Sequence, residues 1–222
     1  MLMQIPSGGT ERLTARQTPK YSPDMNAATI VTAMRIVLSP VFFILFTSTV
    51  KDGHASPLAL GAIWLLFGII EITDFVDGKI ARKTDSVTPF GKVFDPFADS
   101  VARLTYFLSY LVAGLMPGWV FLVILYRDLG LSFLRLMFMS KGTALAARLS
   151  GKIKAWVYAV AGGVALAFVT LRSIEALGAG WAVSAASVFA AAVSAGWALC
   201  IVAAVWSLAD YIAAFVRHSA QR

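Results

Sequence analysis

The chain is 222 residues long, 59% hydrophobic and only 14% charged, with a formal net charge of +7 and a mean hydropathy of +0.76. Soluble domains carry about 45–50% apolar and about 25% charged residues. The composition therefore excludes a soluble globular protein, a disordered chain and, despite the basic excess, a nucleic-acid binder. Cys200 is the only cysteine, so it makes no intrachain disulfide and no thiolate metal cluster; it reads as a small apolar packing residue.

Residues 1–25 are polar and hold Pro6, Gly8, Gly9, Pro19 and Pro23, which predicts an N-terminal cytoplasmic or interfacial arm. No apolar run near Met1 suggests a cleaved signal peptide. Arg12, Arg16 and Lys20 read as solvated charges drawn to anionic lipid. Residues 26–217 are expected to form one membrane domain and 218–222 a short cytoplasmic tail. A spanning helix needs about 20 mostly apolar residues, and six stretches qualify: 27–50, 57–81, 91–115, 117–140, 152–172 and 181–216. The last exceeds one simple span, so it tilts or begins outside the bilayer. Pro57 and Pro117 fall near helix starts, where proline is tolerated. The predicted fold class is all-α, a polytopic membrane protein with six transmembrane helices.

Basic residues set the orientation. With the N-terminus inside, the inner segments collect Arg12, Arg16, Lys20, Lys79, Arg82, Lys83, Lys92, Lys141, Arg148, Lys152, Lys154, Arg217 and Arg222, and the outer segments only Lys51 and Arg172. Both ends are then cytoplasmic, and the chain reads as an integral protein of a bacterial-type inner membrane. Trp119 and Trp181 read as anchors at the outer edge.

The chemistry concentrates at 71–99. Asp74 and Asp77 are three apart and Asp95 and Asp99 four apart, so each pair shares a helix face. Two helices joined by a short cytoplasmic loop can aim all four carboxylates at one spot. Such an array is strongly unfavourable in a low-dielectric region unless cations neutralise it. All-oxygen ligation suits a hard ion such as Mg²⁺, Mn²⁺ or Ca²⁺, and two divalent ions would balance four carboxylates while leaving positions for phosphate oxygens. Gly78 and Ala81 keep one face bare for a ligand or another backbone, and Arg82 offers a planar fork to a phosphate. Glu71, one turn before Asp74, reads as a helix-pairing or capping group, and Asp85 as a solvated loop residue.

The run Asp74-x2-Asp77-Gly78-x2-Ala81-Arg82-x8-Gly91-x3-Asp95-x3-Asp99 fixes eight positions over 26 residues. It resembles the complete signature of the CDP-alcohol phosphotransferase family, whose six-helix fold agrees with the reading above. The resemblance implies that Asp74, Asp77 and Asp95 bind a pair of Mg²⁺ or Mn²⁺ ions, with Asp99 near them as general base. It implies a CDP group against Gly78, Ala81, Arg82 and Thr32, and a homodimer among membrane lipids. The implied reaction is attack of an alcohol on the β-phosphorus of a CDP-linked lipid, with CMP leaving.

The acceptor is read from a second basic group, Arg127, Arg135, Arg148, Lys152 and Lys154, which would attract an alcohol that carries phosphate. The positive-inside rule alone could place Arg148, Lys152 and Lys154; it explains Arg127 and Arg135 less well, because both lie in apolar sequence. Arg127-Asp128-x6-Arg135 followed by Gly151-Lys152-Ile153-Lys154 looks like the phosphatidylglycerophosphate synthase branch, with Asp128 in place of a usual glutamate and Ala155 in place of a threonine. That branch transfers a phosphatidyl group from CDP-diacylglycerol to glycerol 3-phosphate. The same chemistry on another phosphorylated alcohol, such as inositol phosphate, is the alternative within the class, and a divalent-cation transporter the alternative outside it. A transporter would place its acidic site near the bilayer midplane on broken helices, whereas these aspartates lie toward the cytoplasmic end. His54 and His218 read as loop residues without a catalytic role, and Asp210 as a partner for a basic residue across the bundle or a helix-end charge.

Overall fold

A backbone in hydrocarbon must satisfy its own hydrogen bonds, and helices do so within one segment. The computed structural model describes residues 27–83, 91–140 and 148–220, with side chains described over 32–73, 94–138 and 148–217. These residues form six α-helices: α1 (Ala27–Thr49), α2 (Pro57–Lys83), α3 (Gly91–Val112), α4 (Gly118–Ser140), α5 (Leu149–Ala176) and α6 (Trp181–Ala220). The all-α expectation holds, and the helices follow the apolar runs closely. Among the described residues three helices are long and apolar enough to cross a membrane, over Thr32–Thr49, Leu149–Ala176 and Trp181–Arg217, and Pro57–Thr73 is a shorter apolar helix. The expected arm at 1–25 lies outside the described residues.

Two boundaries differ from expectation. The helix expected at 152–172 runs from Leu149 to Ala176, its first turn received by α6, where Ser150 donates to Asp210 and Gly151 sits against Tyr211. The last helix continues to Ala220 and so contains His218, which the sequence placed in a loop. At about 1.5 Å per residue, a helix of 40 residues spans about 60 Å.

Short turns set the neighbours. Lys51 and His54 exchange backbone hydrogen bonds of 2.8 and 2.9 Å around Asp52 and Gly53, both at positive φ (51° and 80°), which closes α1 onto α2. The same turn is fastened to the end of α5: His54 Nδ1 lies 2.9 Å from the Arg172 carbonyl, and the Ala55 N–H donates to Ser173 Oγ at 2.9 Å. Lys51 and Arg172, the expected outer cations, are thus at one end of the bundle. Helix α1 packs on α3 and α2, α3 on α4, α4 on α6, and α5 along α6.

The interior is aromatic. Phe42, Phe46, Phe67, Tyr106, Phe107, Tyr110, Tyr158 and Trp197 are all buried. Edge-to-face pairs link them, with centroids 5.3 Å apart for Phe46–Tyr110, 4.8 Å for Tyr106–Phe107 and 5.5 Å for Phe107–Trp197; such pairs add about 0.5–1.5 kcal/mol each beyond area burial. Two of their polar atoms are paired across the bundle: Tyr110 donates to the Gly162 carbonyl at 2.9 Å and Trp197 to the Leu115 carbonyl at 2.8 Å. The outside is apolar too, with Val37, Ile44, Leu65, Trp119, Phe133, Trp181 and Val188 exposed, as a lipid-facing surface requires.

Gly162 permits the closest approach in this core. A Cβ there would lie 3.1 Å from Tyr106 and 3.3 Å from Phe67, whereas one on Gly163 would meet nothing nearer than 3.8 Å. Overpacking typically costs about 1–3 kcal/mol. Gly162→Val should therefore lower the unfolding temperature of the detergent-solubilised protein by several degrees, and Gly163→Ala should leave it unchanged or raise it, as read by tryptophan fluorescence on heating.

Candidate active site

The first half of the site is a two-rung ladder between α1 and α3. Thr32 and Arg35 are three apart on α1, and Asp95 and Asp99 four apart on α3, so each set shares a face. Thr32 Oγ1 donates to Asp95 Oδ1 at 3.1 Å, and Arg35 pairs with Asp99 through Nη1 and Oδ1. Thr32 and Arg35 are almost fully buried, at 0% and 2% exposure, while Asp95 and Asp99 are half-buried. Arg35 also reaches α2, its Nε donating to Thr73 Oγ1 at 3.4 Å. Thr73 in turn donates to the Ile69 carbonyl at 2.7 Å. One arginine of α1 thereby ties together the two helices that carry the aspartate signature.

Helix α2 continues past Thr73 to Lys83, so its backbone carries Asp74, Asp77, Gly78, Ala81 and Arg82; their side chains lie outside those described, as does Asp85. Among the described residues no group of three or more metal-ligating side chains comes together. The described part of the expected donor set, the carboxylates of Asp95 and Asp99 one turn apart, is all oxygen, which is the chemistry a hard divalent ion takes.

The second half is a cavity of about 220 Å³ between α3, α4, α5 and α6, lined by residues that include Asp99, Ser132, Gly151 and Tyr211. All five cations expected to bind acceptor phosphate, Arg127, Arg135, Arg148, Lys152 and Lys154, line it, and Asp99 lies on its wall beside them.

Its cations are not equivalent. Asp128, fully buried, accepts from Lys154 Nζ at 2.7 and 2.9 Å and from Arg127 Nη1 at 2.7 Å. Lys154 also sits 4.2 Å over the Tyr158 ring. Arg127 and Lys154 are therefore held in a buried cluster, half-neutralised by one carboxylate. Arg148 is paired with Asp210 on α6 at 2.7 Å, which answers the expectation that Asp210 meets a cation across the bundle. Lys152 is exposed and Arg135 half-buried.

Arg35, Thr73 and four residues around the cavity were not singled out as site residues from the sequence. Arg103, buried at 7% exposure, lines both this cavity and a smaller one with Arg35, Glu71 and Asp99. It stands one turn beyond Asp99, so the spacing 95, 99, 103 was an available signal. Ser207 and Tyr211 touch the cations from α6, and Ser150 of α5 donates to Asp210, the partner of Arg148. Ser207 and Tyr211 fall on one polar stripe of an otherwise apolar helix, which is the signal that could have found them.

Comparison with known proteins gives a consistent picture. The family model described as CDP-alcohol phosphatidyltransferase matches residues 25–208. A CDP-diacylglycerol--glycerol-3-phosphate 3-phosphatidyltransferase of Treponema pallidum is 36% identical over 163 residues, covering 71% of this chain and 76% of that protein. A Bacillus subtilis protein of the same name is 36% identical over 137 residues, 59% of this chain and 71% of its own length. A probable phosphatidylglycerophosphate synthase of Mycobacterium tuberculosis is 37% identical over 139 residues, 63% of this chain and 65% of its own.

Removing one partner from a buried charge cluster typically costs about 3–5 kcal/mol. Asp128→Ala leaves Arg127 and Lys154 facing each other without a carboxylate, so it should lower the unfolding temperature sharply. Adding Lys154→Met to that variant should recover part of the loss in the same thermal melt.

Proposed function

The chain belongs to the CDP-alcohol phosphatidyltransferase family and is a transferase of phospholipid biosynthesis, and from that premise we propose that it transfers a phosphatidyl group from CDP-diacylglycerol to glycerol 3-phosphate, giving phosphatidylglycerophosphate and CMP. One observation carries the choice of acceptor: six cationic side chains and Asp99 line a single cavity against only one further carboxylate, Asp128. A phosphate dianion offsets the desolvation of several basic groups, and a neutral or cationic alcohol does not. The printed names of the relatives agree with that choice.

In this reading six helices span a bacterial-type inner membrane, with the arm at 1–25, the tail at 218–222 and the active site on the cytoplasmic side; the protein works as a homodimer among membrane lipids. Asp74, Asp77 and Asp95, with Asp99 beside them, hold two Mg²⁺ or Mn²⁺ ions. When bound, the ions stabilise charge on the diphosphate oxygens. Thr32 orients Asp95 and borders the CDP group, which rests on Gly78, Ala81 and Arg82. Arg127, Arg135, Arg148, Lys152 and Lys154 hold the phosphate of the acceptor, so that its free primary hydroxyl reaches Asp99. Asp99 takes the hydroxyl proton as the oxygen bonds to the β-phosphorus, the phosphoanhydride bond breaks, and CMP leaves with the bridging oxygen. Arg35 fixes the Asp99 carboxylate for that step. The same arginine argues against cation transport, since it sets a positive charge directly on the acidic site.

The test supplies purified full-length protein with CDP-diacylglycerol and, separately, glycerol 3-phosphate, inositol 1-phosphate, serine and choline, and measures CMP release. Glycerol 3-phosphate should be the fastest acceptor. Best turnover with inositol 1-phosphate would overturn the choice of alcohol, and best turnover with serine or choline the phosphate cavity itself. Chelation should abolish turnover and Mg²⁺ or Mn²⁺ restore it. Asp74→Asn and Asp77→Asn should be inactive yet folded, and Asp99→Asn should lose about 10²–10⁴ in rate, the usual worth of a general base, while still binding the CDP-lipid.

A further inference from the structure

One face of α6 holds three of the cations in the cavity. Ser207, Asp210 and Tyr211 follow the i, i+3, i+4 spacing that gathers side chains on one side of a helix. Ser207 accepts a hydrogen bond from Arg127. Asp210 Oδ2 accepts from Arg148 Nε at 2.7 Å and from Ser150 Oγ at 2.6 Å. Tyr211 is buried, and its hydroxyl oxygen accepts from Arg135 Nη2 at 3.4 Å and from the Arg148 backbone N–H at 3.3 Å. The Arg135 guanidinium also lies 5.6 Å from the centre of its ring. Gly151 makes room for this hydroxyl: a Cβ at that position would stand 3.1 Å from the Tyr211 oxygen and 3.6 Å from Cε2. The family match ends at residue 208, so Asp210 and Tyr211 stand outside it.

We propose that Tyr211, seated on Gly151, is a positioning residue that sets affinity for the phosphate of the acceptor. It joins an arginine of α4 to the start of α5, so that Arg135 and Arg148 are held about one point. Like charges left mobile would spread apart, and the phosphate would then have to order them on binding; holding them beforehand removes that cost. This inference rests on the reading of the cavity as the acceptor site.

The test is steady-state kinetics on the full chain with both substrates varied. Tyr211→Phe keeps the ring and removes the oxygen. It should raise the KM for glycerol 3-phosphate about three- to tenfold, the range expected for the loss of one ordinary hydrogen bond. The KM for CDP-diacylglycerol and the kcat at saturating acceptor should stay within about twofold, the split expected when only uniform acceptor binding is lost. Gly151→Ala should raise the acceptor KM by displacing the hydroxyl. In the double variant the added methyl enters the space the oxygen has left, so the two effects should fall short of multiplying. An unchanged acceptor KM in Tyr211→Phe, an equal rise in both KM values, or a fully multiplicative double variant would each overturn the proposal. Unaltered protein that turns over no phosphorylated alcohol would defeat the acceptor reading as well; normal turnover combined with an indifferent Tyr211→Phe would defeat the positioning role alone.

Discussion

An ionised group placed among apolar helices must find its counter-charge inside the protein, because hydrocarbon offers none. The Arg35–Asp99 pair meets that demand at the point where α1, α2 and α3 converge, and it fixes one wall of the site. Asp128 meets it a second time, binding Arg127 and Lys154, and Asp210 a third time, binding Arg148. Each pair joins elements distant in sequence or steadies one inside the bundle. The helices are consequently held at this end by charge matching and through their middle by aromatic packing.

These pairs divide the work between structure and chemistry. Arg127 and Lys154 are largely committed to Asp128, so they contribute a fixed positive field to the cavity more than they contribute mobile ligands. Lys152 and Arg135 are more open and are the groups best able to close on a small anion. Asp99 stands between the two halves, touching Arg35 on one side and lining the cavity on the other. In the proposed reaction that position would let one carboxylate serve both the lipid half and the acceptor half.

Much of this was legible in the residues. The apolar runs set the six helices to within a few residues, since a 20-residue requirement leaves little freedom. The spacing 95, 99 placed two carboxylates on one face, and the basic residues singled out at 127–154 line one cavity. The contacts of Arg103, Ser150, Ser207 and Tyr211 were not legible, because they depend on how α3, α5 and α6 are rotated against each other. Periodicity in a helix that is apolar on every side does not fix that rotation. The early start of α5 at Leu149 was missed for a related reason: Ser150 and Gly151 look like turn residues until Asp210 and Tyr211 are seen to receive them.

The central claim is spatial: a phosphorylated alcohol binds among the cations of α4 and α5 with its hydroxyl toward Asp99. Cryo-electron microscopy of the full chain in a lipid nanodisc with glycerol 3-phosphate tests it most directly. The account predicts phosphate density within hydrogen-bond reach of Arg135, Arg148 and Lys152, and the carbon chain running toward Asp99. Phosphate density at the opposite end of the bundle, beside Lys51 and Arg172, or a ligand whose hydroxyl points away from Asp99, would contradict it.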